Sequence, residues 1–333
     1  MQLKHNNILR IINNTGKYNI LTGATHERYQ SNWQTMPHRF YLMQHDRFKP
    51  WGFDQAPLPE NHIFLPKGSS IPWDINIDIL LSQNKFGQYQ NIKPMSDRFG
   101  LPFISLEHTL PVPTWNNKIR KSVRQMTGDV NVFISEYSVK QWGFEDVDNV
   151  EVIHHGVDTE KFVPKDVEKD GKICTIVNDY INRDIFCGWN IYKQVVIDNN
   201  LDANPWGNTP GFSQPTKDVD HLISILQNAS VFFNTSTVSP IPTALLEAMS
   251  VGTPCVSTST CMIPDIIEDG VNGFISNDPS ELRSKLEWCL ENEEESRKIG
   301  LNGRKTIEKM FSLDDHINKW NNLFARIAGR TSI

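Results

Sequence analysis

Short, continuous apolar runs recur along the first half of the chain, and they constrain its fold more than any other feature. Runs of this kind, without polar alternation, are typical of strands buried on both faces of a parallel sheet. Helices are expected at about 115–127 and from about Ser135, so βαβ connections and an α/β domain are predicted. The runs are YNILT at 18–22, RFYLM at 39–43, DILLS at 78–82, PFISL at 102–106 and NVFIS at 131–135.

The same pattern returns after a break in the middle of the chain. Gly, Pro and charged residues concentrate at 154–171, where apolar periodicity stops. A length of 333 residues suits two domains, and we predict an N-terminal domain at 1–157 and a C-terminal domain at 158–312. The second domain is expected to have strands near 173–177, 231–234, 254–257 and 273–275, and helices near 218–228, 242–250, 280–290 and 293–310.

Residues 313–333 form a third segment with apolar side chains at helical spacing. We expect this segment to be an amphipathic helix that docks one face onto a domain. The residues that define the face are Leu313, Ile317, Trp320, Leu323, Phe324 and Ile327.

Composition excludes several classes of protein. A formal net charge of −6 and a pI near 5.9 give no global attraction to nucleic acid or anionic lipid. The opening MQLKHNNILRIINN has no signal-peptide core, and no apolar run is long enough to span a membrane, so a cytoplasmic protein is expected. The five cysteines lack CxxC spacing, so neither a disulfide framework nor a metal site is predicted.

The stretch 234–274 carries the clearest indication of a binding site. A strand ending near Asn234 leads through a Ser/Thr/Pro loop into a helix whose first turn can accept Pro242. The free amides at such a terminus bind anions, and a diphosphate could be held there without a metal. Glu247 is the only charged residue of the helix, and it could cap the backbone, form a salt bridge or contact a ligand.

Two motifs of this sequence resemble those of one particular protein family. SPIPTALLEAMSVGTPCV at 239–256 resembles the donor-site signature of GT-B glycosyltransferases of the large retaining family 4. VIHHGVDTEKF at 152–162 resembles the interdomain linker of that family, and EDGVNGF at 268–274 extends the similarity. The resemblance implies two Rossmann-like domains facing a cleft, with a C-terminal helix that crosses back to the N-terminal domain.

The resemblance also implies how the donor, a nucleotide-diphosphate sugar, is held. Glu247 matches the second glutamate of the family's Glu-x7-Glu motif, which binds the ribose hydroxyls. Ser239 stands where the first glutamate is expected. The sugar contact would then pass to the backbone of the next four residues, Pro240, Ile241, Pro242 and Thr243.

A second departure from the family concerns the diphosphate. Members usually place an Arg and then a Lys after the first strand of the C-terminal domain, where cations offset the charge of the leaving group. VNDYINRDIFCGW at 177–189 offers Arg183, with Cys187 where the Lys is expected. Arg183 is therefore the cationic candidate, and the alternative is an ordinary surface arginine.

Two residues of the N-terminal domain are further candidates. His108 follows the run LPFISLE and matches the His that family members direct at the donor sugar; the alternative is a packed histidine. Gly23 follows the first strand, where a glycine lets backbone approach a ligand, although an ordinary βα turn explains it as well.

Four cations cluster on the helix predicted at 115–127. Lys118, Arg120, Lys121 and Arg124 form either a solvated helix face or a surface that draws an anionic acceptor, such as a lipid-linked phosphate or DNA. The acceptor could equally be a saccharide.

The resemblance therefore implies a retaining glycosyltransferase that needs no metal or other cofactor and uses a nucleotide-diphosphate sugar as its donor substrate. Two alternatives stay open. One is a DNA-modifying sugar transferase, suggested by the basic helix, and the other is a non-catalytic relative that binds a nucleotide sugar or glycan, suggested by Ser239 and Cys187.

Overall fold

The computed structural model describes residues 16–46, 48–53, 55–68 and 75–329. They form two compact units, of which one ends at His154 and resumes at Asp314, and the other runs from His155 to Leu313. The sequence analysis divides the chain at 157/158 and 312/313. The opening segment, interpreted above as lacking a signal-peptide core, lies outside the described residues.

A seven-stranded parallel sheet forms the centre of the first unit. Its strands are β1 (Asn19–Gly23), β2 (Arg39–Met43), β3 (His62–Phe64), β4 (Ile79–Ser82), β5 (Phe103–Glu107), β6 (Val130–Phe133) and β7 (Val150–Val152). They lie in the order β3-β2-β1-β4-β5-β6-β7. The central strands β4, β5 and β6 are buried at every position, as their apolar runs predict. Because all strands are parallel, their carboxyl ends meet at one edge, where such sheets bind ligands.

Among the described residues of the first unit, four helices connect these strands. They are α1 (Glu27–Ser31), α2 (Gln88–Phe99), α3 (Asn117–Arg124) and α4 (Glu136–Trp142). Side-chain caps define two of their starts: Asn116 accepts the amide of Ile119 at 3.0 Å, and Ser135 accepts the amide of Ser138 at 3.0 Å.

A five-stranded parallel sheet forms the centre of the second unit. Its strands are β8 (Ile173–Ile176), β9 (Ala203–Trp206), β10 (Val231–Asn234), β11 (Cys255–Thr258) and β12 (Phe274–Ser276), in the order β12-β11-β10-β8-β9. The helices are α5 (Asp184–Cys187), α6 (Trp189–Tyr192), α7 (Val219–Asn228), α8 (Thr243–Ser250), α9 (Ile263–Ile266), α10 (Pro279–Glu291) and α11 (Glu293–Met310). Two parallel α/β sheets confirm the predicted fold class.

The last helix, α12 (Leu313–Ala328), packs into the core of the first unit. Trp320, Leu323, Phe324 and Ile327 are at most 1% exposed. The indole Nε1 of Trp320 donates to the hydroxyl of Tyr29 at 2.9 Å. Within the described part of the chain, neither this helix nor any other is long and apolar enough to cross a bilayer.

Candidate functional site

The loop at 235–242 leaves β10 at the carboxyl edge of the second sheet and leads into α8. The backbone carbonyl of Ser236 accepts the hydroxyls of Thr258 at 2.5 Å and Thr260 at 2.7 Å. The Ser236 hydroxyl in turn donates to the Asn234 side chain at 2.9 Å. The loop is therefore tied to the ends of β10 and β11, the place where parallel α/β sheets bind ligands.

The helix α8 begins at Thr243, with Pro242 at the N-cap position instead of in the first turn as predicted. Among the described residues no side chain caps this terminus. The amides of Leu245 and Leu246 donate to the Pro242 carbonyl at 3.1 Å and 3.3 Å, whereas the amides that precede them have no carbonyl of the same helix to bind. Pro240, Ile241 and Pro242 are buried, whereas Ser239 and Thr243 are half-buried. The structure brings these five predicted donor-binding residues to one helix terminus.

Glu247 lies one turn further along α8. It is four residues after Thr243, so both side chains leave the same helix face. The glutamate is only 4% exposed, among apolar neighbours such as Leu246 and Ala248. A buried carboxylate requires hydrogen-bond donors.

A second loop, at 177–189, is bonded directly to the first. The carbonyl of Phe186 accepts the amides of Thr237 at 3.0 Å and Val238 at 3.2 Å. The hydroxyl of Thr237 donates to the carbonyl of Ile185 at 2.9 Å, and that of Thr235 to the carbonyl of Cys187 at 2.6 Å. The two segments that the sequence analysis singles out in this unit therefore form one hydrogen-bonded platform.

Arg183 stands at the start of α5 on this platform. Its backbone occupies the N-cap position, and its exposed side chain places Nη1 3.4 Å from the carbonyl oxygen of Asn178, just beyond β8. An exposed guanidinium at a sheet's carboxyl edge is suited to bidentate binding of a phosphate.

Cys187 does not replace the missing lysine with another charge. Its thiol is buried, and burial raises the pKa of the thiol, so the group stays neutral at physiological pH. The next residue, Gly188, has φ +71°. A Cβ there would lie 2.0 Å from the carbonyl oxygen of Thr235, so the contact between the two loops requires glycine.

His108 lies at the carboxyl edge of the first sheet, just after β5. It is 4% exposed, and its ring packs against His26 with a centroid distance of 4.3 Å and edge-on against Tyr29 at 4.5 Å. Its Nε2 is 3.3 Å from Oε1 of Gln83. The position matches the sequence prediction, and a role in catalysis stays a prediction.

Gly23 ends β1 at the same edge. A Cβ at this position would lie 2.6 Å from the amide nitrogen of the Gln88 side chain. The space that the glycine leaves is therefore used by a neighbouring side chain, and its role in donor binding stays a prediction.

Sequence reasoning missed two buried polar residues that follow β4. Gln83 is 0% exposed and contacts His108, as described above, and Lys85 is likewise 0% exposed. The Lys85 ammonium donates to the carbonyl of Met126 at 2.6 Å and lies 4.6 Å from the ring centroid of Phe144. Burial lowers the pKa of Lys85 to about 8. Gln83 and Lys85 could have been identified as candidates from the sequence because they closely follow the apolar run DILLS, which predicts a buried strand.

The basic cluster lies on α3, and its four cations differ in their surroundings. Arg124 forms an ion pair with Asp146 at 2.5 Å, and Nε of Arg120 donates to the carbonyl of Trp115 at 3.3 Å. Lys118 and Lys121 are exposed.

Apolar side chains adjoin this basic helix. The ring of Phe86 packs 5.0 Å from that of Trp115, yet Phe86 remains 49% exposed, and Ile119 of α3 is 36% exposed.

Within the described residues, no three His, Cys, Asp or Glu side chains are grouped so that they could hold a metal ion.

Over nearly its whole length the chain has the same fold as two solved structures. Sucrose-phosphate synthase from Thermosynechococcus elongatus is 13% identical with a TM-score of 0.73, covering 94% of this chain and 100% of that one. Anabaena Alr3699/HepE in complex with UDP-glucose is 12% identical with a TM-score of 0.70, covering 93% and 100%.

Sequence comparison agrees with the fold. Residues 210–306 match the family model described as Glycosyl transferases group 1. N-acetyl-alpha-D-glucosaminyl L-malate synthase of Bacillus anthracis is 23% identical over 107 residues, which are 32% of this chain. The match spans only 28% of that protein's length. These findings confirm the resemblance to GT-B glycosyltransferases, and the assignment to retaining family 4 stays a prediction.

Proposed function

We propose that this protein is a glycosyltransferase that transfers a sugar from a nucleotide-diphosphate sugar to an acceptor. The observation that carries the proposal is the platform of the second unit, where the Arg183 loop and the loop before α8 are bonded together. The family match over 210–306 includes the loop at 235–242 and α8. A solved relative in complex with UDP-glucose supports a uridine nucleotide as the first donor to test.

The donor is assigned to this platform residue by residue. The ribose hydroxyls donate to Glu247, the sugar contacts the backbone at 240–243 and Ser239, and Arg183 binds the diphosphate. Helix termini favour anions through their free amides and dipole, so the diphosphate charge is met by α8 and by one guanidinium without a metal ion.

We further propose that transfer retains the configuration of the anomeric carbon. The bond between that carbon and the diphosphate oxygen breaks, and the acceptor oxygen forms its new bond on the same face. The acceptor proton passes to the departing phosphate oxygen, so the step requires no protein nucleophile. The anomeric configuration of the product, read by NMR coupling constants, tests this assignment.

Glu247→Ala is expected to weaken binding of UDP by about 1–3 kcal/mol, the scale of hydrogen bonds lost to a charged group. Isothermal titration calorimetry measures this change. Glu247→Gln keeps the volume and one acceptor and should lose less. The matched control is Glu294→Ala, an exposed glutamate of α11. Unchanged UDP affinity in a folded Glu247→Ala protein would exclude the ribose assignment.

We propose that the acceptor is lipid-linked and is reached at an anionic membrane surface. The exposed Phe86 and Ile119 beside Lys118 and Lys121 favour this reading over DNA, because a bilayer interface accepts apolar side chains together with cations.

Changing Lys118, Arg120, Lys121 and Arg124 to Gln is expected to reduce binding to phosphatidylserine vesicles by about 1 kcal/mol per free cation, with a steep salt dependence in the wild type. Vesicle co-sedimentation at several salt concentrations measures this. The control changes four exposed cations of α11 by the same charge: Arg297, Lys298, Lys305 and Lys309. Binding of DNA but not vesicles by the wild type would instead support a DNA-modifying transferase.

A non-catalytic nucleotide-sugar-binding protein is the second candidate. The observation that favours it is the buried neutral thiol of Cys187 at the place of the expected lysine. A protein that binds UDP-glucose but neither transfers nor hydrolyses the sugar, with any acceptor and in the presence or absence of EDTA, would support this candidate.

A further inference from the structure

We infer that Gln83 is a positioning residue that fixes which ring nitrogen of His108 carries the hydrogen. The inference rests on the proposed function for its catalytic meaning, but it concerns a contact that can be measured without any activity.

The orientation of the Gln83 amide is determined on one side by the backbone. Its Nε2 lies 3.0 Å from the carbonyl oxygen of Gly23 and 3.2 Å from the hydroxyl of Thr22. A backbone carbonyl can only accept a hydrogen bond, so the NH₂ group of Gln83 must face Gly23. The amide oxygen Oε1 is thereby left on the side of His108.

The position of Gln83 is held by a neighbouring glutamine. The Gln83 backbone amide donates to Oε1 of Gln88 at 3.0 Å, and the Gln88 Nε2 donates to the carbonyl of Ala24 at 3.3 Å. Gln83 and Gln88 are at most 2% exposed, so water does not compete for their amides. Gly23 makes room for this arrangement, because a Cβ there would collide with the Gln88 side chain.

The amide oxygen of Gln83 decides the tautomer of His108. An amide oxygen has no hydrogen to donate, so the 3.3 Å contact requires a hydrogen on Nε2 of the imidazole. The neutral ring then carries its lone pair on Nδ1. Packing of the ring against His26 and Tyr29 keeps the imidazole in the plane that this contact needs.

The functional consequence is that a neutral His108 ring takes one defined tautomer, with its hydrogen on Nε2. Such a ring stabilises a polar transition state through hydrogen bonds. Gln83 thus acts through His108 and is not itself a catalytic residue.

Nitrogen NMR of the full-length protein labelled at its histidine rings tests the assignment directly, with His108→Ala identifying the signals. We expect the neutral ring of His108 in the wild type to show a hydrogen on Nε2 and an unprotonated Nδ1. A neutral ring with its hydrogen on Nδ1 would overturn the inference. In Gln83→Leu the preference for Nε2–H should be lost, and an unchanged ring state in that variant would also overturn it.

Transfer kinetics separate positioning from simple loss of structure. Gln83→Leu is expected to lower kcat about tenfold or more while the KM for the donor changes little, which is the scale known for removing the hydrogen-bond partner of a functional histidine in metal sites. The control is Gln30→Leu, which removes another 0% exposed glutamine of the same unit. An equal loss in both variants would contradict a specific role of Gln83. If the wild type shows no transfer, the proposed function fails, and the NMR result still decides the tautomer.

Discussion

Arg183→Ala is expected to lower turnover by on the order of 10²-fold or more, with a much smaller change in UDP binding. The reason is that negative charge on the leaving diphosphate grows in the transition state, so a cation beside it contributes more to kcat than to ground-state affinity. Single-turnover kinetics with saturating UDP-glucose measure the first effect, and calorimetry measures the second.

Because Arg183 is exposed, its substitution tests catalysis without disturbing the fold. Its side chain makes one long contact, 3.4 Å to a backbone carbonyl, so its removal should not unfold the platform. Arg297→Ala removes another exposed arginine of the same unit and serves as the control. Arg183→Lys should recover part of the rate, because charge is kept while the bidentate geometry is lost. Equal turnover in wild type and Arg183→Ala would remove this residue from the mechanism.

Gly188→Ala is expected to lower the free energy of unfolding by more than about 2 kcal/mol and to abolish UDP binding. Two costs combine at this position. A left-handed backbone costs a non-glycine residue roughly 1–2 kcal/mol, and the new Cβ would collide with the Thr235 carbonyl at 2.0 Å. Relief of that collision would separate the two loops that form the platform.

Gly211→Ala separates the cost of the left-handed backbone from the cost of the collision between the loops. Gly211 has φ +78° but nothing within 4 Å of an added Cβ, so its substitution reports the backbone term alone. Urea unfolding of both variants, followed by fluorescence, gives the comparison. Similar losses in the two proteins would show that contact between the loops at Gly188 is not required.

The sequence analysis did not predict three strands, β3, β7 and β9. All three lie at the edges of their sheets, and this position explains why they were missed. An edge strand is short and partly exposed, so it lacks the continuous apolar run that identified the central strands. In β9 the sequence ANPW even includes Pro205, which is tolerated at an edge because one side of the strand needs no donor.

Helix α2 was missed for a related reason. Its polar sequence QYQNIKPMSDRF contains Pro94, and its buried positions are Gln88, Ile92 and Ser96. Their spacing of four residues is helical, but only one of the three side chains is apolar. Hydrophobic periodicity alone therefore could not identify this helix.

The sequence identified the two loops of the second unit that form the candidate site, but it did not show that these loops contact each other. Proline, glycine and charged residues after buried strands marked both loops of the second unit. The bond between Thr237 and Ile185 joins residues 52 positions apart, and no local pattern encodes that distance. Gln83 is likewise one polar loop residue among several until the structure places its amide between Gly23 and His108.

The packing of α12 inverts the order in which the two units can be completed during protein synthesis. Domains generally fold from the N-terminus as the chain emerges, but the first unit keeps Trp33 and Phe40 in a core that includes Trp320 and Phe324. The second unit, continuous from His155 to Leu313, can close first. We therefore expect the apolar surface of the seven-stranded sheet around Trp33 and Phe40 to stay uncovered until the last helix is translated.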